Sequence, residues 1–95
     1  DKLHDIADEI EKRMEKSNSK GKTITLKIKY SDFTRQTRSK TVEQYMSKKS
    51  EFFPIVKELL YQEELENSVR LLGLSFSNLN INKKEPIWVQ LRFDF

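Results

Sequence analysis

The sequence predicts an α+β fold, an antiparallel sheet with two helices packed on one face. Three observations point there. Apolar residues recur at helical spacing near Leu3–Met14 and again near Phe53–Leu60. They fall on every second position in Ile24–Tyr30 and again at Leu72, Leu74 and Phe76 within Val69–Leu79. Small polar residues separate these tracts, as turns require.

The first helix rests on Leu3, Ile6, Ala7, Ile10 and Met14, with acidic residues crowding its first turns, where the helix dipole favours them. Ser17-Asn18-Ser19-Lys20-Gly21 stops it, and the glycine is the expected C-terminal cap. From Lys22 the period becomes two. Ile24, Leu26, Ile28 and Tyr30 share one face, while Thr23, Thr25, Lys27 and Lys29 share the other. Ser31-Asp32 supplies a turn, and Phe33 to Val42 reads as the second strand of a hairpin. Both of its faces are polar, which suits an edge strand or one that meets phosphates.

Glu43 to Lys49 reads as a connector. Ser50 is the expected N-cap of the second helix, with Pro54 in its first turn and Phe53, Val56, Leu59 and Leu60 on its core face, which Phe52 and Tyr61 could extend. Val69 to Leu79 is the third strand. Leu72, Leu74 and Phe76 point one way; Leu71, Gly73, Ser75 and Ser77 point the other. Asn78 to Pro86 shows no periodicity and reads as a linker.

Ninety-five residues allow one domain with a modest core. Without cysteine there are no disulfides or thiolate metal sites. No apolar run approaches the ~20 residues that span a bilayer, so no membrane role is expected. The net charge of +3 is unevenly spread. Residues 20–49 hold nine basic side chains against Asp32 and Glu43. One segment thus carries the excess positive charge, which suits a polyanionic partner.

Catalytic chemistry has no footing here. His4 is the single histidine and has no cysteine to join it, so no metal site is expected. The clusters Asp5/Asp8/Glu9 and Glu63-Glu64 read as solvated helix faces rather than acid–base pairs. There is no Ser-His-Asp set and no phosphate-cradling glycine loop. Hydroxyls interleaved with Lys and Arg remain, a mixture that donates well to phosphate oxygens. Aromatics on the polar face are few, so base stacking is not expected.

Two stretches carry a resemblance. KTITLKIKYSDFTRQTRSKT (Lys22–Thr41) and SVRLLGLSFSNL (Ser68–Leu79) resemble the little-finger domain of Y-family translesion DNA polymerases, in the DNA polymerase IV (DinB) branch. The resemblance implies a DNA-binding piece, itself non-catalytic, of a DNA-directed DNA polymerase. The parent's nucleotidyl transfer and its Mg2+ would belong to a catalytic core that nothing in this chain matches. Matching positions imply contacts to primer–template DNA by Thr37, Arg38, Ser39, Lys40, Arg70, Ser75 and Ser77. Lys27 and Lys29 join them on charge alone.

The family's arrangement is β-α-β-β-α-β. The present chain opens in the first helix, so its first strand is expected to be lacking. The edge of the Val69–Leu79 strand would then be unpaired, leaving a three-stranded sheet, a borrowed strand or a dimer through that edge.

The chain ends in QLRFDF. Val89, Leu91, Phe93 and Phe95 alternate as in a strand, and that alternation could itself fill the open sheet edge. The ending also resembles the family's peptide for the bacterial sliding clamp, with Gln90, Leu91, Phe93 and Phe95 as anchors. The expected organisation is a DNA-binding domain at 1–79, a linker at 80–89 and a clamp motif at 90–95, in a bacterial cytoplasmic protein associated with the nucleoid. Two other readings remain open: a protein-interaction module outside any polymerase, and an RNA-binding α+β module.

Overall fold

The computed structural model describes residues 2–62, 68–80 and 86–92. In chain order these form α1 (Lys2–Lys16), β1 (Gly21–Tyr30), β2 (Arg35–Met46), α2 (Lys49–Tyr61), β3 (Val69–Leu79) and β4 (Ile87–Arg92). One antiparallel sheet runs in the order β2-β1-β3-β4. Both helices pack on the same face of it, so the α+β class expected from the pattern is the one observed.

Alternation decides what lies between the layers. Ile24 pairs with Phe76, Leu26 with Leu74 and Ile28 with Leu72. Across β3 the same rows continue into Ile87, Val89 and Leu91. These side chains meet Leu3, Ile6, Ala7, Ile10 and Met14 of α1 and Phe52, Val56, Leu59 and Leu60 of α2; Phe53 only borders the core and Tyr61 is exposed. Phe52 and Phe76 are fully buried and meet edge to face at 5.2 Å, a geometry that adds about 1 kcal/mol to burial worth roughly 2 kcal/mol per ring.

Several local details differ from expectation. Asn18, not Gly21, ends α1, adopting φ 52°. Ser19 N donates to Met14 O (3.0 Å) and Asn18 N to Glu15 O (3.1 Å), the paired bonds of a Schellman cap. Gly21 instead opens β1 beneath Phe76. A Cβ there would lie 3.0 Å from the Phe76 ring.

β2 begins later and ends later than the pattern suggested, because Phe33 and Thr34 belong to the turn. At its far end a shift in register between Gly21 and Thr23 carries the strand on to Met46, whose side chain is buried.

α2 is capped from outside the expected position. Lys48 is the N-cap, and the Glu51 carboxylate accepts the backbone N–H of Lys48 (3.1 Å) and of Ser47 (3.2 Å). Pro54 lies beyond the first turn, inside the helix on an exposed side. Lys49 bonds α1 to α2, its backbone N–H donating to Glu11 and its ammonium to Asp8 at 2.8 Å.

Backbone donors hold the Glu51 carboxyl below its ordinary range, and the Lys49 ammonium does the same for Asp8. A depressed folded pKa contributes stability above the unfolded value and loses it as pH falls through the folded one. Thermal melts should therefore be flat through neutral pH and fall below the ordinary carboxylate range. Glu51→Gln should lower the melting temperature at pH 7 and make that acid decline shallower. An unchanged pH profile would show that the cap does not contribute.

The open edge expected beside β3 is occupied. β4 pairs there, from Phe76↔Ile87 to Leu71↔Arg92, and the Arg13 guanidinium ties Trp88 O to α1 at 3.0 Å. The sheet has four strands, not three, and the fourth comes from this chain's own residues. Residues 87–89, expected in a linker, lie in that strand, as do Gln90 and Leu91. Phe93 and Phe95 lie outside the described residues, as does Glu63-Glu64.

Candidate nucleic-acid interface

The sheet face opposite the helices is where hydroxyls and cations gather. Alternation turns Thr23, Thr25, Lys27 and Lys29 of β1 outward, since their neighbours are core residues. Register then selects the outward residues of β2: Lys29 pairs with Arg35, Lys27 with Thr37, Thr25 with Ser39 and Thr23 with Thr41. On the other side, outward Leu71, Gly73 and Ser75 bring Arg92, Gln90 and Trp88 to the same face. No carboxylate occupies an outward position of β1, β3 or β4, or of β2 from Arg35 to Thr41.

Between these strands runs a groove of about 300 Å³ lined by Lys27, Lys29, Arg35, Gln36, Thr37, Leu71 and Gln90. On the same face, a Cβ added at Gly73 would only touch Lys27, Trp88 and Gln90. The Lys27 ammonium lies 4.2 Å from the centre of the Trp88 ring. Thr23 and Thr41 join their hydroxyls across the hairpin at 2.8 Å, and Asn78 donates to Thr23 at 2.6 Å.

The residues expected to contact DNA do not share one face. Lys27, Lys29, Thr37, Ser39 and Ser77 face outward with accessible side chains. Ser75 faces the same way but is buried opposite Trp88. Arg70 is exposed at the hairpin end of the sheet, its guanidinium 4.6 Å from the Phe33 ring centre.

Arg38 and Lys40 lie on the opposite face of β2. They pair with Leu26 and Ile24 and therefore point toward the helices. Arg38 is 6% exposed and donates to Leu59 O and Leu60 O, both at 2.8 Å, at the end of α2. Its second nitrogen donates to Gln36 Oε1 at 2.6 Å, which also accepts the Tyr30 hydroxyl at 2.8 Å. Lys40 pairs with Glu58 of α2 at 3.1 Å. These two cations serve the helix rather than the outer face.

Sequence reasoning missed Arg35, Trp88 and Arg92 on this face. Arg35 was recoverable, because a short turn after outward Lys29 carries the next strand's partner to the same side. Trp88 and Arg92 were recoverable from the inward alternation of Val89 and Leu91, once that stretch is taken as a strand.

Among the described residues no group of three or more His, Cys, Asp or Glu is placed to hold a metal ion. Asp8 and Glu11 meet Lys49, Glu51 caps α2 and Glu58 meets Lys40. No helix among the described residues is long and apolar enough to cross a membrane.

Relatives carry the same domain. DNA polymerase IV of Bacteroides fragilis is 38% identical over 96 residues, which cover 98% of this chain and 26% of the relative. That of Clostridium perfringens (strain SM101) is 39% identical over 99 residues, covering 99% of this chain and 28% of the relative. That of Clostridioides difficile is 42% identical over 84 residues, or 87% and 23%. The chain thus spans about a quarter of the length of these relatives. The profile of the impB/mucB/samB family C-terminal domain matches residues 1–92. With helices and sheet arranged as above, this chain belongs to that family of Y-family polymerase C-terminal domains.

Proposed function

We propose that this domain grips primer–template DNA through its outer sheet face, as the non-catalytic part of an error-prone translesion polymerase. The observation that carries this reading is the outer face itself: Lys27, Lys29, Arg35 and Arg92 among hydroxyls, with no carboxylate at the outward positions given above. Such a surface tracks phosphates without reading bases. The relatives' name, DNA polymerase IV, supports DNA as the polyanion. In the parent protein, nucleotidyl transfer and its Mg2+ would belong to a catalytic core outside this chain, and its place would be the bacterial cytoplasm at the nucleoid. A salt titration of duplex binding tests the phosphate contact; affinity indifferent to salt would overturn it.

A second part of the proposal is tethering to a sliding clamp through Gln90, Leu91, Phe93 and Phe95. The motif supports it, and β4 is an edge strand held by β3 alone within the sheet. Leu91 lies on the inward face and packs against the core, so docking requires the end of β4 to peel away. Leu91→Ala combined with Phe93→Ala should abolish binding to a bacterial clamp, measured by surface plasmon resonance, while far-ultraviolet circular dichroism stays unchanged. Retained clamp binding in that variant would refute the tether.

A further inference from the structure

The β1–β2 hairpin turns through Ser31, Asp32 and Phe33. Phe33 N donates to Tyr30 O at 3.0 Å, and Tyr30 N donates to Thr34 O at 2.9 Å. Asp32 Oδ1 accepts both the Thr34 N–H (3.1 Å) and its hydroxyl (2.6 Å). The third loop position of such a turn is left-handed and is ordinarily glycine. Here it is Phe33, at φ 70°, a conformation strained for a bulky side chain.

Packing does not explain that choice, since Phe33 is 65% exposed. The hairpin's hydrogen bonds hold a strained backbone and aim an apolar ring at solvent. Such outliers are grounds for asking what the ring meets.

The surroundings answer in part. The Arg70 guanidinium lies 4.6 Å from the ring centre and the Lys29 ammonium 5.6 Å. Register brings Arg35 beside Lys29, and Leu71 brings Arg92 to the same end of the sheet. An aromatic face among cations matches a nucleotide, whose base stacks while its phosphates find positive charge. A base inside a duplex cannot offer its face. An unpaired one can.

We propose that Phe33 is a stacking platform for an unpaired DNA base at the rim of the outer face, with the adjoining phosphates held by Lys29 and Arg70. This rests on the reading of that face as a DNA surface, but it fails separately. The test compares the chain's affinity for a blunt duplex and for the same duplex bearing a short single-stranded overhang containing 2-aminopurine.

The overhang should bind more tightly, with a change in 2-aminopurine fluorescence. Phe33→Gly suits the left-handed backbone and should fold at least as well. It should weaken overhang binding about five- to tenfold, the lower part of the range for base–aromatic stacking, and leave blunt-duplex binding unchanged. Phe33→Trp should keep the preference. Equal affinity of the wild type for both DNAs would overturn the proposal, as would a glycine variant that binds the overhang like wild type; the latter would turn attention to a protein partner for the ring. A loss shared equally by both DNAs would also overturn it. Salt-independent blunt-duplex binding, or none at all, would fell the DNA surface and the platform together.

Discussion

Arg38→Ala should destabilise the domain by about 3 kcal/mol or more, because it strips partners from groups that stay buried. In a domain of this size that is roughly 12–24 °C in melting temperature. The last carbonyls of an α-helix have no partner within it and carry the negative end of its dipole. α2 has no basic residue in its last turn, and Arg38 brings the missing charge from the neighbouring strand. It donates to Leu59 O and Leu60 O while Gln36 holds the other side of the guanidinium. Arg38→Lys should recover only part of the loss, since one ammonium cannot reproduce a planar fork. Thermal melts read the outcome. An alanine variant that melts within 2 °C of wild type, yet loses DNA affinity, would restore Arg38 as a phosphate ligand.

The triple variant Lys27→Ala, Lys29→Ala, Arg35→Ala should produce the largest change in DNA binding. These three cations border one groove and are outward by register. If each meets a phosphate, the slope of log affinity against log salt should become shallower by about 2.7, at about 0.9 per contact on duplex DNA. The loss should be the same for unrelated sequences, because phosphates carry no base information. Removing Lys27 also removes its contact with Trp88, worth only about 0.5–1 kcal/mol at an exposed site, so the fold should persist. A slope equal to the wild type's would mean that DNA lies elsewhere on the molecule.

These two variants divide a single sequence feature. Residues 20–49 read as one basic segment, and charge counting cannot separate Arg35 from Arg38. Three residues apart on a strand, they emerge on opposite faces. One then meets solvent and the other meets the end of a helix, at 6% exposure. Lys40, two residues on, follows Arg38 inward and finds Glu58. The alternation showed that β2 has two polar faces, but a strand without an oily face does not announce which side is inside. That assignment came from the register with β1.

The turn was legible only in outline. Ser31-Asp32 marked it, yet nothing in residue type suggests that phenylalanine would take the glycine position. The hydrogen bonds that Tyr30 makes with Phe33 and Thr34, and those that Asp32 accepts, impose that conformation against local preference. The end of α1 departs from residue type in the same way, since Gly21 was the expected cap and bond geometry selected Asn18.

By itself the sequence determined the α+β class, the core rows of β1 and β3, the buried stripe of α1 and the family. The first three follow from periodicity, which acts over a few neighbours along the chain, and the family from the stretches Lys22–Thr41 and Ser68–Leu79. Only the tertiary structure decided which basic residues face outward, what ends α2 and where Ile87–Arg92 lies. Each of those depends on a partner distant in sequence: β1 for Arg35, α2 for Arg38 and β3 for the closing strand. Backbone groups along an open sheet edge favour pairing, and a half-apolar alternating segment can satisfy them while burying Ile87, Val89 and much of Leu91.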